Sequence, residues 1–416
     1  MSTDYVVGGG LAGLSAAVAL AQKGRHVVLL EGAPQAGGRC RSYFDPVLDQ
    51  VIDNGNHFVL SGNGAVMSYL DAIGGRAGLV GPEKSRTSFV DIHTDQRWTI
   101  APDEGAIPFW LFDESRRVPG TRPADYLPLA KLLFAGPDKR IGDMLSAKGP
   151  LWERLLHPFF LGALNTEPET ASAALAGALV RETFAKGGHA YRIRVAHPSL
   201  VAAFVDPALA FLKARGADIR IGQRVRALTF DDGRLMALEL PDATLTLSPA
   251  DTVILAVPPW AAKELIPGLV APTEFRSIVN AHFKITAPPG LPPMLGVIGG
   301  LVQWIFPFED RISITVSGAD AIVDEDREKL AKLFWSDVAK VLHMPDVLPP
   351  WQIVKERRAT FAATPAQAKL RPKPHTQWPN LLLAGDWTDT GLPATIEGAV
   401  RSGQKAAALA LARSSV

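Results

Sequence analysis

Three short motifs carry the residues that could do chemistry in this chain. Near the N terminus, Gly8-Gly9-Gly10-Leu11-Ala12-Gly13 fits the pattern G-x-G-x-x-G. In that pattern the first glycine allows a tight turn, the second lets the backbone approach a pyrophosphate, and the third lets a helix pack closely on a strand. Glu31 closes the next apolar run, where an acceptor for a ribose hydroxyl belongs. The arrangement predicts a dinucleotide site and disfavours a 2′-phosphate there.

The second and third motifs offer further polar contacts to such a ligand. Gly37-Gly38-Arg39 follows Glu31, with Arg41 two residues on, and an arginine at this place can pair with a pyrophosphate. Near the C terminus, Gly385-Asp386 precedes a stretch that reads as a helix from about Thr395. Its N-terminal end would direct backbone N–H groups and partial positive charge at an electron-rich group.

Three separated α/β blocks must position these motifs. The first is a βαβ unit, with strand Tyr5–Val7, helix Leu11–Gln22 and strand His26–Leu30. The second lies at about 199–260, and the third is the C-terminal stretch that begins with the apolar run at Asn380. Alternating strands and helices predict a parallel sheet, and their separation predicts one discontinuous domain.

We therefore predict an α/β fold, in which a Rossmann-type dinucleotide-binding domain carries an inserted, mixed α+β substrate domain. The dinucleotide-binding domain, to which the resemblance given next assigns FAD, is expected to combine residues 1–75, 195–265 and 375–416. The substrate domain is expected to combine residues 76–194 and 266–374, with a helical, aromatic-rich part at about 105–190 that could face a membrane.

The choice of FAD rests on a resemblance. Glu31 followed by Gly37-Gly38-Arg39, and Ala384-Gly385-Asp386 followed by Glu397-Gly398-Ala399, resemble the motifs of the flavin amine oxidase and phytoene desaturase superfamily. The resemblance implies non-covalent FAD, because residues 385–395 lack the cysteine to which some members attach their flavin. It also implies that Asp386 accepts from a ribityl hydroxyl and that the N–H of Ile396 faces the flavin. The cofactor-binding residues inferred in this way are Gly8, Gly10, Leu11, Ala12, Gly13, Glu31, Gly37, Gly38, Arg39, Arg41, Asn56, His57, Val225, Gly385, Asp386, Thr395 and Ile396.

Across nearly the whole chain, the pattern resembles the squalene-associated FAD-dependent desaturases, a family of hydroxysqualene dehydroxylases. The segments that carry this resemblance are Asp53–Phe58, Leu60–Asn63, His157-Pro158, Ala163–Thr166, Val279–Phe283 and Gly385–Glu397. The family's reaction reduces hydroxysqualene, a C30 allylic alcohol, to squalene, with hydride from reduced FAD delivered to the allylic carbon. The electron donor stays unidentified, since no second dinucleotide motif is evident.

Loss of a hydroxyl group calls for a general acid, because hydroxide is a poor leaving group. The candidates are His57 and His282, and for each a hydrogen-bonded structural role is the alternative. A low-dielectric pocket with an ordered water could also suffice. Asn280 occupies the position at which amine oxidases keep a lysine near the flavin, and Thr395 the position at which they keep an aromatic residue.

Composition narrows the function classes further. Lys+Arg total 43 and Asp+Glu 42, so no strong field of one sign exists to attract nucleic acid. The single cysteine, Cys40, excludes an internal disulfide and a multi-thiolate zinc site, which fits a reducing cytoplasm. We expect no metal in the active site.

A low charged fraction and aromatic segments predict peripheral contact with a membrane. Charged residues make up 20% of the chain, against about 25% in ordinary proteins. Segments Ile107–Phe112, Tyr126–Ala135 and Leu151–Phe160 combine aromatic with basic side chains, as interfacial segments do. We expect a cytoplasmic protein at the inner face of the cell membrane.

Three alternatives remain open at this point. A carotenoid or phytoene-type desaturase would run hydride transfer in the opposite direction. An amine oxidase is disfavoured by Thr395 and Asn280. A non-catalytic carrier of polyprenyl lipids would bind FAD without changing its redox state.

Overall fold

Two large sheets organise residues 2–413, the part of the chain that this computed structural model describes. The strands are β1 (Thr3–Val7), β2 (His26–Glu31), β3 (Ser42–Asp45), β4 (Gln50–Asp53), β5 (Phe58–Leu60), β6 (Leu79–Val80), β7 (Thr87–Asp91), β8 (Arg97–Ile100), β9 (Ile193–Ala196), β10 (Asp218–Ile221), β11 (Ala227–Asp231), β12 (Arg234–Glu239), β13 (Thr244–Thr246), β14 (Thr252–Leu255), β15 (Phe275–Phe283), β16 (Leu295–Ile298), β17 (Trp304–Pro307), β18 (Ile312–Ser317), β19 (Trp351–Phe361) and β20 (Leu381–Leu383). The α-helices are α1 (Leu11–Gln22), α2 (Gly64–Ile73), α3 (His157–Leu164), α4 (Ala173–Glu182), α5 (Asp206–Ala214), α6 (Pro259–Leu265), α7 (Arg327–Leu342), α8 (Pro365–Lys369) and α9 (Ile396–Arg413).

The first sheet is parallel throughout and has the order β10-β2-β1-β14-β20. Its strands come from all three α/β blocks of the sequence, which confirms the predicted parallel sheet. Helices α1 and α9 pack together beside it, and the Ser15 hydroxyl donates to the Val400 carbonyl at 2.9 Å. A Cβ on Gly403 would lie 2.0 Å from the Ala12 carbonyl oxygen, so this close helix contact requires glycine.

The second sheet is mixed and has the order β19-β15-β18-β17-β16-β7-β8. Only the β16–β7 pair is parallel among these strands. Helix α7 covers one face, where Trp335 packs on Phe283 with ring centroids 5.1 Å apart. Smaller sheets join β11-β12-β13, β3-β4 and β5-β9-β6. A parallel α/β sheet with a second, mixed sheet is the predicted fold class.

The aromatic-rich part at about 105–190 folds mainly into short helical segments. Phe109–Phe112 and Pro123–Phe134 form 3₁₀ turns, and Pro128 inside the second removes a backbone donor. A π-helical turn, Trp152–Leu156, leads directly into α3. Among the described residues, no helix is long and apolar enough to cross a bilayer.

Candidate active site

The two glycine-rich loops of the N-terminal region lie against each other. Gly37 N–H donates to the Gly9 carbonyl at 2.8 Å. Gly8 has φ +111°, and a Cβ on Gly13 would lie 1.8 Å from the Gly8 carbonyl oxygen, so strand and helix approach as the motif predicts. A Cβ on Gly10 would meet no protein atom within 4 Å, and no side chain caps α1. This open, uncapped helix N terminus fits the pyrophosphate of a dinucleotide.

Glu31 lies at the end of β2, as predicted, and its carboxylate holds two backbone groups. It accepts from the N–H of Gly9 and from the N–H of Ala33, each at 2.6 Å. The N–H of Gln223 donates to the Glu31 carbonyl at 2.8 Å, which brings the segment that carries the buried Val225 beside it. Glu31 thus shapes the first glycine loop, and its remaining lone pairs are available to a ribose hydroxyl.

Arg39 and Asp386 meet, although they lie at opposite ends of the chain. Arg39 Nη2 donates to Asp386 Oδ1 at 2.6 Å, and Arg39 Nη1 donates to the Ala359 carbonyl at 2.5 Å. In the structure the Arg39 guanidinium joins the second motif to the third, and the interpretation that Arg39 pairs with the pyrophosphate or stabilises charge near the isoalloxazine stays a prediction. Arg41 lies apart from this pair and donates to the Gly38 carbonyl at 3.0 Å.

The C-terminal motif is held by Thr395, a predicted site residue, and by Arg371, which the sequence pattern did not single out. Gly385 has φ +147°, and Thr395 caps α9 by accepting from the N–H of Gly398 at 3.0 Å. Buried Arg371 donates from Nη2 to the Asp386 carbonyl at 3.0 Å and to the Thr388 carbonyl at 2.5 Å. Burial lowers the pKa of Arg371 to about 10. Helix α9 begins at Ile396, within one residue of the predicted start.

His57 and Asn280 come together on one side of these loops. A Cβ on Gly55 would lie 3.3 Å from Asn280 Nδ2 and 3.4 Å from His57 Nε2. The surrounding protein and, to a lesser extent, the positive charge of Arg39 lower the pKa of His57 to about 4. The imidazole is therefore neutral near pH 7, which favours a hydrogen-bonding role over that of a ready proton donor.

His282, the second candidate acid, lies two residues from Asn280 on β15. It is fully buried, and its ring bonds through Nδ1 to the Ser313 hydroxyl at 2.8 Å and through Nε2 to the Asp53 carbonyl at 3.0 Å. Burial is the main cause that lowers the pKa of His282 to about 3. The side chain ties β15 and β18 to the segment that begins at Asp53, which favours the hydrogen-bonded structural role over that of an acid.

Thr315 is a member of the cluster that the motifs did not identify, whereas Gly55 lies in the segment Asp53–Phe58 that carried the resemblance. Thr315 pairs with Asn280 across β18 and β15, and the Ala281–Ile314 pair separates it from the Ser313–His282 pair. A signal was present, since Ile312-Ser313-Ile314-Thr315-Val316-Ser317 alternates apolar and polar residues along a strand that is buried throughout. Buried hydroxyl groups at every second position lie on one face of the strand, and each of them needs a hydrogen-bond partner there.

A group of possible metal ligands lies elsewhere in the described chain. His157, Glu167 and Glu169 place one ligand atom each within 4.8 Å of one another. His157 Nε2 and Glu167 Oε1 already form a hydrogen bond of 2.8 Å. The expectation of an active site without metal stays a prediction.

Comparison with known proteins decides the family. Residues 11–411 match the family described as flavin containing amine oxidoreductase. The chain belongs to this family. Its mixed α/β fold with a parallel sheet, and the loops described above, agree with a flavin-containing oxidoreductase.

Within the flavin containing amine oxidoreductases, similar curated relatives are named hydroxysqualene dehydroxylase. The relative from Rhodopseudomonas palustris is 53% identical over 411 residues, which cover 99% of this chain and 98% of that protein. The relative from Zymomonas mobilis is 44% identical over 414 residues and is covered completely. By this similarity the chain is a member of the hydroxysqualene dehydroxylase branch.

Solved structures share the fold at low identity. Cyclohexylamine oxidase from Brevibacterium oxydans superposes with a TM-score of 0.71 at 14% identity, and 99% of each chain is covered. Wild-type putrescine oxidase bound to putrescine gives a TM-score of 0.66 at 18% identity, again with 99% of each chain covered.

Proposed function

We propose that this protein reduces hydroxysqualene to squalene. The observation that carries the proposal is the identity of 44–53% over nearly the whole length with proteins of that name. The balanced reaction takes one hydride and one proton, breaks the allylic C–O bond and releases water. The new C–H bond forms at the carbon that carried the hydroxyl group.

FAD, bound without a covalent link, is the cofactor that fits the loops best. The open space at Gly10, the uncapped start of α1 and the acceptor Glu31 match a dinucleotide with free ribose hydroxyls. Cys40 is the chain's single cysteine, and burial raises the pKa of its thiol to about 12, which opposes covalent attachment through a thiolate. Two-electron-reduced flavin supplies hydride when it is bound. The donor that reduces it is unidentified.

The remaining predicted residues divide into those that hold the cofactor and those that face the substrate. Segments 1–75, 195–265 and 375–416 would form the FAD-binding domain, because they contribute the parallel sheet and the three motif loops. Segments 76–194 and 266–374 would form the substrate domain, with Asn280 and its neighbours towards the flavin. Residue 1 and residues 414–416 of this proposal lie outside the described part of the chain.

Peripheral contact with the inner face of the cell membrane would give access to a C30 substrate. Apolar side chains are between 63% and 86% exposed on the two 3₁₀ turns near residues 107–134. They are Ile107, Phe109, Phe112, Leu127 and Phe134. The buried rings of Trp110, from the first turn, and Tyr126, from the second, pack edge to face with their centroids 5.7 Å apart, which links the two turns. Exposed aromatic and aliphatic side chains of this kind are suited to the boundary between the head groups and the acyl chains of a lipid bilayer.

The test is a single turnover under anaerobic conditions with chemically reduced holoenzyme in D₂O. Hydroxysqualene should be converted to squalene that carries one deuterium at the formerly hydroxylated carbon, since the N5 hydrogen of reduced flavin exchanges with solvent. If reduced enzyme leaves the alcohol intact while oxidised enzyme desaturates squalene or phytoene, a desaturase is the correct assignment. If neither substrate changes the flavin absorbance, the carrier alternative holds.

A further inference from the structure

The orientation of the Asn280 side chain is fixed by a chain of hydrogen bonds that begins at Asn56. Asn56 Nδ2 donates to the Ile314 carbonyl at 3.0 Å, which identifies that atom as the nitrogen. The same Nδ2 donates to Thr315 Oγ1 at 3.2 Å. A hydroxyl has one hydrogen, and Thr315 gives it to Asn280 Oδ1 at 2.7 Å.

The amide nitrogen of Asn280 therefore points away from Thr315. Its Oδ1 is occupied by the Thr315 hydroxyl and by the N–H of Asn56 at 3.5 Å. Its Nδ2 lies beside Gly55, 3.3 Å from the place where a Cβ would be. Among residues 2–413, neither Asn280 Nδ2 nor His57 Nε2 has a protein hydrogen-bond partner.

Gly55 makes the space that these two nitrogens share. Each lies within 3.4 Å of the absent Cβ, so the two nitrogens converge on one small volume, one from β15 and the other from the loop before β5. Two polar nitrogens without a protein partner that point at one volume indicate a polar ligand there, because leaving such groups unpaired is costly.

We propose that Thr315 is a positioning residue that turns the Asn280 amide, so that Asn280 Nδ2 and His57 Nε2 together bind the hydroxyl oxygen of the substrate. The proposal rests on the proposed function and names the part of the site that recognises the alcohol. As the C–O bond breaks, its electron pair goes to the oxygen, which takes a proton drawn from solvent and leaves as water. The carbon receives the hydride of the reduced flavin, so one hydride and one proton are consumed.

The variants Thr315→Val and Thr315→Ser test whether the Thr315 hydroxyl orients the Asn280 amide. Valine keeps the shape of threonine without the hydroxyl, and Asn280 is then free to rotate. Serine keeps the hydroxyl and the hydrogen bond. Under the proposal, Thr315→Ser behaves as wild type, whereas Thr315→Val lowers kcat/KM for FAD-loaded enzyme about tenfold or more, in part through a higher KM because the alcohol binds less tightly.

The decisive measurement uses oxidised holoenzyme, which cannot reduce the substrate. Binding of hydroxysqualene and of squalene is followed separately by the perturbation of the flavin absorbance. Wild type and Thr315→Ser should bind the alcohol about fivefold to tenfold more tightly than the hydrocarbon, as one or two hydrogen bonds provide. In Thr315→Val this preference should fall below about twofold.

Gly55→Ala provides an independent variant if Thr315→Val fails to fold. Its methyl group would occupy the shared volume without touching Thr315, so it should also abolish the preference for the alcohol. Equal preference in wild type and both variants would overturn the inference, as would a wild type with no preference at all. If wild type binds the alcohol preferentially but does not reduce it, the proposed function fails while this binding site stands.

Discussion

Arg39 and Asp386 form an ion pair of 2.6 Å between residues that are 347 positions apart in the chain. The contact ties the second glycine loop to the C-terminal motif, the two loops that are predicted to enclose the cofactor. Asp386 is nearly buried, whereas Arg39 keeps 40% of its side chain exposed. Because solvent screens such a pair, its main effect is to hold the two loops in place and not to add electrostatic stability.

Asp386→Ala should weaken FAD binding about tenfold or more, because it removes both a predicted ribityl contact and the partner of Arg39. Loss of one charge-assisted hydrogen bond costs about 1–3 kcal/mol, and about 1.4 kcal/mol is tenfold in affinity. Flavin content after desalting and the Kd for re-added FAD measure the effect. Asp389→Ala, an exposed acid on the same loop, is the control and should retain FAD. Retention by both variants would show that Asp386 only shapes the loop.

Gly10→Ala and Gly13→Ala should separate cofactor binding from folding. A methyl group on Gly10 meets no protein atom within 4 Å, so the apoprotein should keep its stability while FAD affinity falls. A methyl group on Gly13 would lie 1.8 Å from the Gly8 carbonyl oxygen, so apoprotein stability should fall by about 1–3 kcal/mol as well. Urea unfolding of the apoproteins and FAD titration give the two quantities. Full FAD affinity in Gly10→Ala would contradict the placement of the pyrophosphate.

His282 should make the protein less stable as the pH falls below about 6.5. The unfolded imidazole takes up a proton near pH 6.5, whereas the folded one, with its pKa lowered to about 3, does not, so acid favours the unfolded chain. The free energy of unfolding should decrease by up to about 1.4 kcal/mol per pH unit on account of this group, and His282→Gln should show a shallower decrease. Urea unfolding between pH 7 and pH 4 tests the difference. His26→Gln, at an exposed site, should follow the wild-type slope.

Replacing Phe109, Phe112 and Phe134 together by serine should reduce binding to vesicles at least fivefold. Their exposed rings would lose the apolar area that an interface buries. Co-sedimentation with vesicles of phosphatidylethanolamine and phosphatidylglycerol measures the partition. Phe44→Ser is the control, since Phe44 is also an exposed phenylalanine, 58% exposed, but lies on a different element, the β3–β4 hairpin. Equal losses in both proteins would indicate non-specific adsorption, and no loss in either would refute this surface as the contact.

The sequence alone determined the βαβ unit, the parallel sheet and the motif loops around the cofactor. These features depend on local requirements that residue types express directly. Gly8 must adopt a positive φ, Gly13 must lack a Cβ, and the apolar runs of β1 and α1 carry their own periodicity. The family resemblance then supplied the cofactor class and the branch, which the comparisons confirmed.

Only the tertiary structure decided which polar side chains hydrogen-bond to each other and which keep a nitrogen without a protein partner. His57 and His282 are equivalent candidates in the sequence. In the structure, His57 lies beside Gly55, whereas both ring nitrogens of His282 form hydrogen bonds, with the Ser313 hydroxyl and the Asp53 carbonyl. Thr315 became a candidate only because its hydroxyl donates to Asn280 on another strand. Hydrogen bonds between distant segments depend on strand register and on the packing of whole elements, and no local pattern of residues encodes their partners.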